Sequence, residues 1–180
     1  MESEKIETIL DANQLKEKGN QLFKEADFEA ACENYEAALR ISTEDTQKAI
    51  LECNAGLCCI KMHKFIESIS HLDSAIKLNP SYIKPYMHRS KAYAEQDNYD
   101  KAIEDIKSLL ALEPLNDIAL STLKEYNEKN KVKQDKVKTE ALGTLKDLGN
   151  KILGNFGISI DNFKMNQNQD GSYNIQYQNK

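Results

Sequence analysis

One pattern occurs three times along the chain, and this repetition restricts the possible folds more than any other feature. The copies that begin at Gly56 and Ser90 superpose at a spacing of 34 residues, while three extra residues separate the copy that begins at Gly19 from the second. Each copy contains two stretches with the apolar periodicity of a helix, joined by a short polar turn. Because one helical hairpin cannot bury its apolar face alone, the hairpins have to stack. The sequence therefore predicts an all-α fold, a right-handed superhelical array of three helix-turn-helix repeats.

Small side chains recur where the two helices of each hairpin are expected to cross. Gly19, Gly56 and Ser90 take this position on the first helices, where a small residue allows the two backbones to approach closely. The corresponding residues of the second helices are Ala31, Ser68 and Ala102. Polar turns that end in an aromatic residue (ADF, HKF and DNY) separate the helices. Pro80 and Pro114 end the second and third hairpins, because proline lacks an amide hydrogen.

The remainder of the chain divides by composition and periodicity. The predicted segments are an acidic lead-in (1–11), three repeats (12–48, 49–82 and 83–115), a capping helix with an amphipathic helical extension (116–157) and an Asn/Gln-rich tail (158–180). Ile118, Leu123 and Tyr126 lie on roughly one helical face, which suits a helix that covers the last repeat. The tail alternates polar and apolar residues on either side of Asp170 and Gly171, which predicts a β-hairpin.

Two further stretches lie between the capping helix and the tail. Residues 129–138 are basic and almost without apolar groups, which indicates either a solvated helix extension or a linker. The following stretch is an amphipathic helix ended by glycines, as indicated by the helical spacing of Leu142, Leu145, Leu148 and Ile152.

Composition narrows the class of partner. The chain has a net charge of -5 and no basic stripe, which argues against a nucleic-acid ligand. Its apolar runs are far shorter than the roughly 20 residues needed to cross a bilayer, and its acidic, amphipathic first residues do not resemble a secretory signal. We therefore expect no membrane partner and a cytoplasmic location, where the cysteines stay reduced.

The cysteines and histidines do not predict a metal site. None of the four cysteines has CxxC spacing. Cys59 and His63 are four residues apart and share a helical face, but zinc generally takes four ligands and no second pair accompanies them. No glycine-rich phosphate loop, metal cluster or Cys-His-acid arrangement stands out from the background of the sequence. It therefore predicts a binding protein without cofactor, metal or enzymatic activity.

Residues 12–128 resemble the tetratricopeptide repeat family, and three motifs are similar to its carboxylate-clamp subclass. The motif LKEKGNQLF contains Lys16 and Asn20, ECNAGLC contains Asn54, and YIKPYMHRS contains Lys84 and His88. Clamp proteins use a lysine and an asparagine on the first helix, an asparagine on the third, and a lysine and an arginine on the fifth. The resemblance implies that these five residues bind the C-terminal Glu-Glu-Val-Asp of cytosolic heat-shock chaperones of the seventy- or ninety-kilodalton class.

The fifth clamp position departs from the subclass, because it holds His88 in place of arginine. The neighbouring Arg89 is a candidate supporting residue, although one step along a helix rotates a side chain by about 100 degrees. An unperturbed imidazole titrates near about 6.5, so a His88 that contacts the peptide should strengthen binding as the pH falls toward about 6. The alternative is a histidine that only packs on the wall of the groove.

The C-terminal motifs KDLGN, FGIS, DNF and GSYNI resemble the corresponding region of an adaptor in the same subclass. This resemblance implies a cytosolic co-chaperone adaptor that links a chaperone to a client or signalling protein. The alternative is a structural scaffold, in which the groove binds an internal peptide of a larger assembly or the chain's own tail.

Overall fold

The computed structural model describes residues 11–167 and 172–178 and shows helices followed by a short antiparallel sheet. The elements are α1 (Ala12–Lys24), α2 (Phe28–Ile41), α3 (Asp45–Lys61), α4 (Phe65–Leu78), α5 (Ile83–Ala94), α6 (Tyr99–Leu112), α7 (Asp117–Gly154), β1 (Phe163–Gln167) and β2 (Tyr173–Tyr177). The chain divides into two compact units, residues 1–130 and 131–180. Within the first unit the predicted all-α repeat fold is confirmed.

Three helical hairpins make up most of the first unit. Helix α1 packs on α2, α3 on α4 and α5 on α6, and contacts of α2 with α3 and of α4 with α5 join the hairpins. Helix α3 has 17 residues, against 13 in α1, and it already begins at Asp45. The three extra residues between the first two repeats therefore lengthen a helix instead of a loop, and the second hairpin starts before residue 49.

Residues 1–10 of the expected acidic lead-in lie outside the described residues. Asp11, its last residue, caps α1 instead of standing apart from the repeats. Its carboxylate accepts a 2.8 Å hydrogen bond from the backbone amide of Gln14, and the Gln14 side chain accepts one from the amide of Asp11. This reciprocal pair satisfies two amide groups that the first turn of a helix otherwise leaves unpaired.

The small residues lie at the helix crossings, as predicted. A β-carbon added to Gly19 would lie 2.7 Å from Tyr35 Cε1 on α2, and one added to Gly56 would lie 2.8 Å from Leu72 Cγ on α4. Side chains do not pack that closely, so a larger residue at either position would strain the hairpin. Ser90 is buried at the equivalent position of α5. The facing small residues are also fully buried, namely Ala31, Ser68 and Ala102.

Each hairpin turns through one residue in the left-handed backbone region. Ala26, His63 and Asp97 have φ values of 63°, 59° and 56°, and each lies two residues before the aromatic residue that begins the next helix. The residue between them is Asp27 in the first hairpin and Asn98 in the third, and its side chain accepts a hydrogen bond from a backbone amide of the new helix. The short polar turn therefore ends one helix and starts the next.

The first turns of α7 cover the last repeat. Ala119 and Tyr126 are buried, and together with Leu123 they pack against the apolar side chains of α5 and α6. The predicted capping helix is confirmed for Leu123 and Tyr126 but wrong for Ile118, whose side chain is 70% exposed. The buried face follows the helical spacing of Ala119, Leu123 and Tyr126, and Ile118 points about 100 degrees away from Ala119.

Helix α7 continues through the basic stretch, so the helix extension is correct and the linker is not. Residues 128–140 contain neither glycine nor proline, and exposed ion pairs such as Lys129 with Glu125 and Lys136 with Glu140 lie at the i, i+4 spacing that supports a helix. The helix ends at Gly154, in agreement with the predicted glycine stop.

Among residues 11–167 and 172–178, no helix is long and apolar enough to cross a bilayer.

The second unit also contains the predicted hairpin. Strands β1 and β2 pair antiparallel, with Phe163 opposite Tyr177 and Met165 opposite Ile175. The expected turn at residues 170 and 171 lies outside the described residues.

Candidate peptide-binding site

The first two predicted site residues lie one turn apart on α1. Tyr35 holds the Asn20 amide by donating a 2.8 Å hydrogen bond from its hydroxyl to Asn20 Oδ1, and Asn20 Nδ2 donates to Glu17 at 3.3 Å. Lys16 Nζ lies 3.7 Å from Glu17 Oε1, in a pair whose carboxylate is 68% exposed. An exposed ion pair of this kind contributes little, so it does not remove Lys16 from other partners. Helix α1 therefore offers an ammonium group and an amide that is already oriented.

Asn54, the third predicted residue, lies on α3 and shares a cavity with Asn20. The cavity has a volume of about 250 Å³ and is lined by Glu17, Asn20, Phe23, Lys24, Tyr35, Asn54 and Leu57. Asn54 is half-buried, and its side-chain amide has no hydrogen-bond partner among the residues that the structure describes. Both its donor and its acceptor are therefore available to the backbone of a bound peptide.

Lys84 and His88 lie one turn apart on α5. The Lys84 side chain is exposed and forms no ion pair with any residue in 11–167 or 172–178. Helix α5 contacts α3, which contains Asn54. Burial raises the pKa of Cys53 on α3 to about 11, and the Lys84 charge acts against this rise. Burial also lowers the pKa of His88, and the charges of Lys84 and Lys91 lower it further. The free imidazole is therefore neutral at neutral pH.

The side chain of Arg89, the residue after His88, is paired with two aspartates. Its Nε donates a 3.0 Å hydrogen bond to Asp105 Oδ2, while its two terminal nitrogens donate to the other oxygen of Asp105 and to Asp73. Burial raises the pKa of Asp105, and the hydrogen bonds from Arg89 act in the opposite direction. The guanidinium group thus joins α5 to α4 and α6, and we leave it out of the peptide-binding set.

The structure brings only part of the predicted set into direct proximity. Asn20 and Asn54 line one cavity, Lys16 lies one turn before Asn20, and Lys84 lies on α5, which contacts α3. Tyr35, which orients Asn20, was not among the predicted site residues. Tyr35 is 15 residues away on the next helix, so this contact depends on how the hairpin packs and no local pattern signals it.

Comparison with known proteins agrees with the helical hairpins. A family model described as the tetratricopeptide repeat matches residues 83–114, which contain α5 and α6. The first such domain of Spaghetti (RPAP3), solved with the HSP90 peptide SRMEEVD, is 29% identical to this chain with a TM-score of 0.61, and the match covers 66% of this chain and 91% of that one. The second domain of human RPAP3, solved with the HSP70 peptide SGPTIEEVD, is 29% identical with a TM-score of 0.60, over 64% and 94% of the two chains. Residues 83–114 therefore match the tetratricopeptide repeat, and the hairpins of residues 12–112 share the fold of these solved repeat domains.

Longer proteins also contain a related segment. Protein unc-45 homolog B of Mus musculus is 32% identical over 117 residues, which is 65% of this chain and 13% of the relative. Across several curated relatives the match spans between 12% and 25% of their length. The chain is therefore similar to one segment of each of these proteins, and the similarity says nothing about the rest of them.

Proposed function

We propose that this chain is a non-enzymatic co-chaperone adaptor, whose repeat domain binds the C-terminal Glu-Glu-Val-Asp of a cytosolic heat-shock chaperone of the seventy- or ninety-kilodalton class. The proposal rests on two polar side chains of neighbouring hairpins, Asn54 on α3 and Lys84 on α5. The Lys84 ammonium group is exposed without an ion pair, and the Asn54 amide is half-buried without a hydrogen-bond partner, both within the described residues. An ammonium group and an amide without partners inside the protein can bind a ligand that supplies a negative charge and hydrogen-bonding groups.

The chemistry of the chaperone peptide matches these groups. A peptide that ends in aspartate carries two carboxylates at its last residue, and lysines on separate helices can each donate charge-assisted hydrogen bonds to them. Lys16 and Lys84 supply the two ammonium groups in this proposal, while Asn20 and Asn54 bind the backbone at the end of the peptide. The RPAP3 domains support the proposal, because they share the fold and were solved with peptides that end in the same four residues.

The proposed location and wider role follow from the same features. Four free cysteines, all buried, suit a reducing compartment such as the cytoplasm. The groove of a helical repeat array is usually a binding surface, which favours an adaptor over an enzyme. The second unit would then be available to a client or signalling protein.

The experiment that tests the function compares two forms of one peptide. A fluorescent peptide ending in Glu-Glu-Val-Asp with a free carboxyl terminus should bind with a dissociation constant in the micromolar range, about -8 kcal/mol. The same peptide with an amidated C-terminus should bind at least about 30-fold more weakly, because it loses one of the two recognised charges. Fluorescence polarisation with the full chain measures both constants, and equal affinity for the two forms would rule out recognition of the terminal carboxylate.

The contribution of His88 can be tested through pH. Burial lowers the pKa of His88 in the free domain, whereas a bound carboxylate favours the imidazolium form, so binding would be accompanied by proton uptake. Peptide affinity should therefore rise as the pH falls from about 8 to about 6, and this rise should disappear in His88→Gln. A flat pH profile for the wild-type chain would place His88 on the groove wall, outside the clamp.

A further inference from the structure

Three metal-binding side chains from different helices meet in the first unit. Cys32 lies on α2, Cys59 on α3 and His71 on α4, and the two sulfur atoms and a ring nitrogen of His71 all lie within 4.8 Å of one another. Both cysteines are buried and His71 is half-buried. None of these residues belongs to the proposed peptide-binding set.

The two ring nitrogens of His71 have different neighbours. Nδ1 lies 2.7 Å from Glu52 Oε2, at hydrogen-bond distance. An ionised carboxylate can only accept, so Nδ1 carries the proton and the neutral ring has its lone pair on Nε2. A carboxylate that holds the second nitrogen of a histidine is the usual support for a metal-bound imidazole.

Glu36 supplies a candidate fourth ligand. Its Oε1 lies 3.9 Å from His71 Nε2 and 3.9 Å from Cys32 Sγ, and its side chain is 46% exposed, so it has room to move. The cluster lies in a cavity of about 240 Å³ that also contains Glu29, Glu33 and Glu67, with Lys64 as the only lysine or arginine among its described lining residues. The surroundings therefore carry excess negative charge, which favours a bound cation.

We propose that Cys32, Cys59, His71 and Glu36 form a zinc site. Two thiolates, one imidazole and one carboxylate make a four-ligand set of the types that Zn²⁺ prefers. A tetrahedral ion with Zn–S bonds of about 2.3 Å holds its two sulfur atoms about 3.8 Å apart. The ligand atoms of the two cysteines and His71 already lie within 4.8 Å of one another, so side-chain movements of about 1 Å would bring them to this geometry. On binding, the two thiols release their protons to solvent, while His71 binds through Nε2 and continues to donate from Nδ1 to Glu52.

A metal at this position would join three helices of the first two hairpins. It would link α2 of the first hairpin to α3 and α4 of the second, so that binding favours the folded stack over the unfolded chain. The spacing of Cys59 and His63 in the sequence would place both on one helical face, but in the structure His63 lies outside the helix and the histidine close to Cys59 is His71. His63 lies in the left-handed turn after α3, where its ring packs on Phe65 at a centroid distance of 5.7 Å.

The test is a cobalt titration of the full chain, stripped of metal and kept reduced with a phosphine. Co²⁺ should produce a thiolate-to-metal charge-transfer band and intense visible bands of tetrahedral coordination, saturating at one equivalent. Zn²⁺ should then displace Co²⁺ and remove the bands. Glu52→Gln keeps all four ligands and should weaken binding by about 10- to 100-fold. No thiolate band in the reduced wild-type chain would overturn the proposal.

Ligand variants and a matched control locate the site. Cys32→Ser and Cys59→Ser should each reduce the charge-transfer intensity, because one of the two thiolates is lost, and His71→Asn, at a half-buried position, should weaken Co²⁺ binding at least about 10-fold. Cys53→Ala removes another buried thiol of α3, on the side of Tyr82, and should titrate like the wild type. Unchanged spectra in His71→Asn and both serine variants would contradict the assignment. Circular dichroism of each metal-free variant separates loss of a ligand from loss of the fold.

Discussion

Replacing Lys16 and Lys84 together with alanine is expected to abolish measurable binding of a Glu-Glu-Val-Asp peptide. Each single substitution should cost about 2 kcal/mol, or about 30-fold in the dissociation constant, because it leaves a carboxylate of the peptide without its charged partner. The two lysines lie on different hairpins and contact different carboxylates in the proposed complex, so their effects should largely add. Fluorescence polarisation of both single variants and the double variant measures this directly.

A matched control separates the proposed contacts from the general charge of the domain. Lys18→Ala with Lys107→Ala removes the same charge from two exposed positions, on α1 and α6, that the clamp does not use. This variant should bind the peptide within about twofold of the wild type, since exposed charges at a distance are screened by salt. Equal losses in the two double variants would show that the domain attracts acidic peptides only through its overall field.

Arg89→Met is expected to lower the free energy of unfolding by about 3–5 kcal/mol. Asp105 is only 3% exposed and accepts hydrogen bonds from two nitrogens of Arg89, so removal of the guanidinium leaves a buried carboxylate without its cation. The cost comes from this unpaired charge and not from any surface contact. Urea unfolding followed by circular dichroism measures the change.

Two further variants show whether the unpaired carboxylate is the cause. Arg89→Met combined with Asp105→Leu replaces the whole pair by apolar side chains and should recover most of the lost stability. Asp73→Asn removes the other partner of Arg89, which is 53% exposed, and should cost less than about 1 kcal/mol. If the combined variant were no more stable than Arg89→Met alone, packing around Arg89 and not charge would explain the loss.

The fold could be predicted to the level of individual helix crossings. Gly19 and Gly56 indicate where backbones must approach, and the aromatic residue after each polar turn marks the start of the second helix. Two features could not be predicted from the pattern. Helix α3 absorbs the extra residues by starting at Asp45, and α7 presents Ala119 to the core in place of Ile118. Both depend on how one hairpin packs against its neighbour, which a local pattern does not contain.

The candidate sites show the same limit. Lys16 and Asn20 could be grouped because i, i+4 spacing places them on one helical face. By contrast, the cluster of Cys32, Cys59 and His71 joins residues 27 and 12 positions apart along three helices, and no short motif links them. Only the stacking of the first two hairpins brings these three side chains within reach of one ion.

An NMR titration of the isotope-labelled chain with the free-acid peptide tests most directly whether the first helices of the hairpins bind an acidic C-terminus. We expect the largest backbone amide shift changes on α1, α3 and α5, around Lys16, Asn54 and Lys84, and we expect them to vanish with the amidated peptide. Shift changes concentrated on α2 and α4, or in the second unit, would contradict the proposed function.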